Sequence, residues 1–299
     1  MATLTRRPGS GVYLSPRRGR VDRAKIVRRT LLLVLNIVFL FFFLFPYYWQ
    51  TITALKPASE INATPVIWFP SHIDFSHFQS VFTDPNRNFG QNIINSVIVS
   101  SATTFLSLLL GTFAAYALAR LPLPAKRTIL VLVIVMVTFP GIALVASLFI
   151  FLRDLHLTDT YGALIIPYVA FSLPFAIWVL TNFFRDIPAE LAEQAEVDGC
   201  TPIQSLTRVI LPLSAPALVT SGLLIFIGAW NEFLFAYTFV SSPGIRSVPV
   251  AIYYFGGLHD TPWGEISAAS EIVSLPIIAL VLIFQRRIVQ GLTAGSLKG

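Results

Sequence analysis

The chain has 299 residues, of which 55% are hydrophobic and only 12% charged, against about 25% charge in soluble domains. Charge is absent from long apolar blocks and concentrated between them, a pattern that fits a single bundle whose solvent is partly lipid better than two soluble domains. The net charge of +6 does not indicate nucleic acid, because the basic residues gather at one end and beside apolar segments, with no soluble domain to present them.

The first thirty residues carry eight Arg and one Lys against one Asp. The apolar stretch that follows is too long for a signal-peptide core and lacks a small-residue cleavage site, so a retained first membrane helix is expected. Six apolar segments have the length of a membrane crossing, about 20 residues each. In chain order they are residues 31–52, 93–119, 128–152, 161–184, 215–240 and 269–284. The third contains Pro140-Gly141 near its middle, and the fourth contains Pro167 and Pro174. Neighbouring groups in a bundle can satisfy carbonyls freed by such prolines, so kinked helices are expected. The reading is all-α: residues 1–28 as a basic N-terminal segment, 29–289 as a six-helix membrane domain, and 290–299 as a C-terminal tail.

With the N-terminus placed in the cytoplasm, 17 of the 21 Lys and Arg fall on that side, which satisfies the positive-inside rule. Both termini are then cytoplasmic. Two outer segments are longer than turns. Residues 53–91 contain Trp68, Phe69, Phe75 and Phe78, and residues 241–267 contain Tyr253, Tyr254 and Trp263. Aromatics at a membrane face serve as interfacial anchors or as a docking surface for an outside partner.

The single cysteine, Cys200, permits no internal disulfide and no thiolate metal centre. His72, His77, His156 and His259 match no common zinc spacing. No metal or other cofactor is expected on this chain.

The loop between the fourth and fifth segments, residues 185–213, is too ordered in pattern for a passive connector. Asp186 stands near an N-cap and Pro188 in a first helical turn. Residues 189–197 are strong helix formers, Gly199 is placed to stop the helix in a left-handed turn, and Thr201 caps a second short helix that runs from Pro202 to Pro212. A short rigid helix across one membrane face is a suitable lever for motion delivered by a soluble partner.

In this loop Glu193-Gln194-Ala195, then Asp198-Gly199, Val209 and Leu211-Pro212 resemble the EAA loop of binding-protein-dependent ABC importer permeases. Gln194 replaces the usual Ala. Asn95-Ser96, Ala114-Ala115-Tyr116-Ala117, Pro167-Tyr168, residues 226–232, and Gln290, Gly291, Gly295 and Lys298-Gly299 are similar to the carbohydrate-uptake branch, most of all to the second permease subunit of maltose- and trehalose-type systems. The resemblance implies a type I importer permease in the inner membrane, a second permease subunit as heterodimer partner, two copies of a cytoplasmic ATPase holding ATP and Mg, and an extracytoplasmic solute-binding protein. It also implies coupling roles for Glu193, Gln194, Ala195, Asp198, Gly199, Leu211 and Pro212. The sequence has no Gly-x-x-x-x-Gly-Lys-Ser/Thr phosphate loop, so the chain is expected to be no ATPase.

Trp230, Asn231 and Glu232 stand within the fifth segment. They are expected either to line a polar route for a sugar, with an aromatic ring stacked on it, or to include a glutamate that merely pairs locally near the membrane face. Glu271 sits in or at the edge of the sixth segment. The expected substrate is a disaccharide such as trehalose or maltose, with glycosylated osmolytes as alternatives. A secondary transporter or channel would show repeats and buried ion relays, and a membrane enzyme would need a His, Cys or carboxylate cluster. Neither pattern is visible.

Overall fold

The computed structural model describes residues 23–85, 87–257 and 261–294; the basic segment before Arg23, His259 and the last residues of the tail lie outside them. The chain divides after Trp49. From Arg23 to that residue it is the greater part of one helix, α1 (Arg23–Leu55). Leu31, Val34, Phe39 and Phe42 are all exposed on it. A helix apolar on every side is stable in lipid or against another chain, not in water.

From Gln50 onward the regular elements among the described residues are all helices. Two short ones, α2 (Ala58–Ile61) and α3 (Ser76–Thr83), precede the long α4 (Phe89–Arg120). Then come α5 (Lys126–Val137), α6 (Val145–Asp154) and α7 (Tyr161–Asp186). The loop of interest holds α8 (Ala189–Val197), α9 (Pro202–Ser205) and α10 (Leu211–Leu213). The chain closes with α11 (Ala215–Trp230), α12 (Leu234–Phe239), α13 (Val248–Tyr253) and α14 (Trp263–Ala294). The centre is α4, packed along α7 and α11, with α14 against α11. Small residues allow the close approach: a Cβ on Gly111 of α4 would come within 2.9 Å of Ala176 Cβ on α7, as expected where helices associate without a hydrophobic drive between them.

Four helices are long and apolar enough to cross a membrane alone, and two bent pairs bring the number to six if each pair is one span. Each of the six expected segments has a helical counterpart here, four of them long enough to span alone, with two corrections. The third is not one kinked helix. It breaks after Val137 and turns through 89° into residues 141–154. Pro140 has no N–H to continue the ladder, and the amides of Thr138 and Phe139 turn back to Val135 and Met136 at 3.2 and 3.3 Å. The bend borders an apolar cavity of about 390 Å³ against Pro167, Phe171 and Pro174 of α7. The fifth segment ends as a helix at Trp230 rather than at residue 240, and α12 restarts separately.

At the end of the bundle where α4 begins, Asn95 donates to the carbonyls of Gly244 and Arg246 at 2.9 and 3.0 Å. It accepts from Gln91 and the Tyr161 phenol. The Val248 amide donates to Ser96 Oγ at 2.8 Å. Asn95-Ser96 thus fastens the start of α13 to α4. Nearby, Glu265 of α14 accepts from Ser80 at 2.7 Å and pairs with Arg87. Glu271 accepts from Thr51 at 2.7 Å, which ties α14 to the last turn of α1. In the loop between α1 and α4, hydrogen bonds from Ser71 hold the Glu60 carboxyl below its ordinary value. The Ser76 amide does the same for Asp74.

Candidate functional site

The loop after α7 folds as its residue types require. α8 spans Ala189–Val197, the bounds set by its helix formers. The N-cap falls on Pro188, with no side-chain cap, while Asp186 is still the last residue of α7; the expected capping role of Asp186 is thus corrected. The reason is that α7 runs on until Ile187 turns extended ahead of the proline. At the other end Gly199 has φ +84°. The Cys200 amide bonds to the Ala195 carbonyl at 2.9 Å and the Gly199 amide to that of Glu196 at 3.0 Å. This is the Schellman arrangement, which satisfies carbonyls orphaned at a helix end.

Thr201 then opens α9 with a reciprocal capping box: Gln204 N donates to Thr201 Oγ1 at 3.3 Å and Thr201 N to Gln204 Oε1 at 2.9 Å. The expected stop at Pro212 does not occur. The path widens into a π turn over Leu206–Ile210 and continues as α10 through Leu213. Because Pro212 lacks an N–H and its ring crowds the turn before it, the wider turn is the accommodation. The break comes at Ser214, where the chain bends 80° into α11.

The loop is held by its own bundle. Ile187, Ala192, Leu206 and Ile210 are buried in one cluster with Tyr116 of α4 and Leu180 and Phe184 of α7. Arg120, the last residue of α4, donates through Nη2 to the Phe184 carbonyl at 2.7 Å and to the Ile187 carbonyl at 2.5 Å. Two buried carbonyls at a helix end thus gain a charged donor, the stronger class of hydrogen bond.

The expected coupling residues divide by face. Glu193 and Gln194 are exposed and, with Glu190, Val197 and Asp198, line one shallow surface. Val197 is 88% exposed, an unusual position for a valine. Ala195 instead faces inward and is buried in this chain, so the close packing its size permits is intramolecular. Leu211 packs partly against the buried cluster, and Pro212 is exposed. Glu190, Glu193, Glu196 and Asp198 give α8 and its cap a negative surface, with no basic residue between Arg185 and Arg208.

Trp230, Asn231 and Glu232 do not share a face. Trp230 is 1% exposed and stacks on Phe226, so it lines no surface of this chain. Asn231 is exposed. Glu232 is half-buried: Oε1 accepts from the Phe235 amide at 2.8 Å, and Oε2 from the Ala236 amide at 3.1 Å and from the Tyr168 phenol. The carboxylate therefore starts α12 and ties it to α7, which is why the fifth segment breaks there. In the sequence Arg120 is only one of the 17 basic residues on the cytoplasmic side of the expected topology. Its clasp spans 67 positions in sequence, which no local pattern reveals. Tyr168 stood only within a resemblance. Among the described residues no group of three or more His, Cys, Asp or Glu is placed to hold a metal.

Comparisons with known proteins agree with this architecture. The family model described as binding-protein-dependent transport system inner membrane component matches residues 107–294, which takes in the whole loop and α11 to α14. The trehalose/maltose transport system permease protein MalG of Thermococcus litoralis is 38% identical, over 93% of this chain and 99% of that protein. The trehalose transport system permease protein SugB of Mycobacterium tuberculosis is 41% identical, over 91% and 98%. A chain from the crystal structure of a bacterial ABC transporter involved in import of the acidic polysaccharide alginate shares the fold, with a TM-score of 0.74 at 23% identity over 91% of this chain and 99% of that one. With that family model over residues 107–294 and relatives 38% and 41% identical over nine-tenths of the chain, the chain belongs to the family of binding-protein-dependent transport system inner membrane components: it is a multi-pass permease subunit of an ABC importer and not an enzyme.

Proposed function

We propose that this permease forms half of the translocation pathway of an ATP-driven sugar importer, with a disaccharide such as trehalose or maltose as substrate. The observation that carries this reading is the similarity, over more than nine-tenths of the chain, to permeases named for trehalose and maltose transport. A second permease subunit completes the pathway, two copies of a cytoplasmic ATPase bind ATP and Mg and hydrolyse the ATP, and a solute-binding protein delivers the sugar. Both termini and α8 lie on the cytoplasmic side, as the Lys and Arg distribution supports. The ATPase receives the exposed face of α8, where Glu193 and Gln194 meet a basic groove, and Gly199 sets the angle at which the lever ends. Arg120, Ile187 and Ala192 carry that motion into α4 and α7. Asn231 is the residue of the 230–232 triplet that faces the route.

The test is uptake of labelled trehalose and maltose by proteoliposomes holding the full importer. Uptake that requires internal or external ATP on the ATPase side and the binding protein on the other supports the reading. Uptake by this chain without an ATPase would establish the alternative, a secondary transporter or channel, which the family match disfavours.

A further inference from the structure

The outward face of α12 and the end of α13 carry a group of aromatic side chains that neither the coupling loop nor the bundle core uses. Phe233, the N-cap residue of α12, and Tyr237, one turn further on, stack with ring centroids 5.3 Å apart. Tyr253, the last residue of α13, stands edge-on to Tyr237 at 5.2 Å, and Tyr254 stands edge-on to Tyr253 at 5.5 Å. The Arg246 guanidinium lies over the Tyr254 ring at 4.0 Å and is held by the Ser241 carbonyl at 2.9 Å. The rings are not core: Tyr253 is 57% exposed, Tyr254 48% and Tyr237 41%. On α12 the buried positions are Phe235, Ala236 and Phe239, so the face holding Phe233 and Tyr237 is the one the fold leaves open.

Hydroxyls and a cation beside the rings set this face apart from the exposed apolar residues of α5 and from exposed Leu31, Val34, Phe39 and Phe42 of α1. The exposed residues of α5 include Val131, Leu132, Ile134 and Val135, all aliphatic. Here the exposed set is three phenols and one phenyl ring, with the half-buried Arg246 guanidinium beside them and exposed Asn231 two residues before Phe233. Flat rings fixed by mutual edge-to-face packing offer rigid apolar platforms at low entropic cost. Phenol, amide and guanidinium groups beside them supply donors and acceptors of defined direction. Such a combination suits a ligand with an apolar C–H face and a rim of hydroxyls, which describes a pyranose ring.

We propose that Phe233, Tyr237, Tyr253 and Tyr254, with Arg246, form a saccharide-contacting subsite on this subunit. A pyranose ring stacks on an open tyrosine face while its hydroxyls bond to the neighbouring phenols and to Asn231. The proposal rests on the reading of the importer as a sugar importer. In the bundle, Asn95 binds the Arg246 carbonyl and Asp159 accepts from the Ser241 and Ser242 amides at 2.6 and 2.7 Å. The segment that carries Arg246 is thereby fixed to α4 and to the turn before α7, so the platform is preorganised rather than assembled by the ligand.

The test uses the reconstituted importer, labelled trehalose and maltose, and three replacements each at Tyr237 and Tyr253: Phe, Leu and Ala. A subsite that stacks sugar keeps most uptake with Tyr253→Phe and Tyr237→Phe. It loses roughly fivefold with Leu and with Ala, the size of one aromatic stacking contact. Binding-protein-stimulated ATP hydrolysis persists in the Leu and Ala variants while uptake falls, so less sugar moves per ATP, because neither tyrosine is part of the coupling loop. If Leu transports as well as Phe, the rings are only apolar membrane anchors and the proposal is overturned. A loss of stimulated hydrolysis in the Leu variants also overturns it, in favour of a docking surface for the binding protein. A wild-type importer that takes up neither sugar overturns the substrate reading itself, a separate failure visible before any variant is made.

Discussion

Arg120 reaches from the last turn of α4 to the carbonyl of Ile187 at 2.5 Å, just ahead of Pro188, the N-cap residue of α8. The same guanidinium nitrogen holds the Phe184 carbonyl at 2.7 Å. One side chain therefore clasps the last turn of α7 to the residue just before Pro188. Ile187 and Ala192 add the apolar part of the joint, in the same buried cluster as Tyr116 and Phe184. A short helix is not stable alone, and this one is seated by its own chain before any partner arrives.

Replacing Arg120 with Ala leaves those two carbonyls without their charged donor, a loss of about 1.5–3 kcal/mol for a hydrogen bond to a charged group. The expected outcome is a lower thermal midpoint of the purified importer and ATP hydrolysis that no longer tracks uptake. Arg120→Lys retains the charge but not the guanidinium fork, so it should recover part of the coupling. Unchanged stability and unchanged sugar moved per ATP in the Ala variant would remove Arg120 from the joint.

Glu232 offers a second test within the bundle. Its carboxylate accepts from two amides at the start of α12 and from Tyr168. Glu232→Gln turns one acceptor into a donor and is expected to cost about 0.5–2 kcal/mol, the range for losing a helix cap. Tyr168→Phe should be costly alone but add little to Glu232→Ala, because residues sharing one interaction are not additive. Thermal unfolding of the four proteins in a double-mutant cycle measures this. Full additivity would mean that Tyr168 and Glu232 act independently.

The ends of α8 were legible in the sequence because strong helix formers stop at Gly199, a residue suited to φ +84°. Pro140-Gly141 was legible as an interruption, but not the 89° turn, since a proline kink takes its angle from what packs around it. The end of α11 was hidden because residues 233–240 continue the apolar run, and only the Glu232 side chain, folded onto Phe235 and Ala236, separates the helices. The inward turn of Ala195 and the clasp by Arg120 depend on helices that meet only in three dimensions. The exposed Glu193 and the buried Ala195 belong to one motif, yet the fold gives them opposite faces.

Cys200 is the single cysteine of the chain and is partly exposed beside Gly199, so it is a native probe of sidedness. A membrane-impermeant maleimide should label it in inside-out vesicles and not in intact cells. The same reagent should reach a cysteine placed at exposed Trp68 from outside. Labelling of Cys200 in intact cells would invert the proposed orientation.

The last prediction separates the two jobs of the α8 loop. Gly199 has a backbone conformation that a β-branched residue adopts only with strain, of the order of 1–3 kcal/mol. A Cβ there would meet no atom within 4 Å, so the strain is in the backbone and not in packing. Gly199→Val should therefore weaken the Schellman turn, lower the thermal midpoint of the importer and shift the end of the lever. Glu193 is exposed and carries one of the four charges on the negative surface. Glu193→Lys should leave the thermal midpoint of the isolated permease pair where it was. It should still reduce co-purification of the ATPase, because reversing one charge of a docked pair costs a few kcal/mol. Uptake should fall in both variants, but only the Val variant should fall with a loss of stability. The measurements are unfolding of the permease pair, ATPase recovered with it, and labelled-sugar uptake in proteoliposomes. Normal ATPase binding with full uptake in Glu193→Lys would show that the exposed face of α8 is not where the ATPase docks.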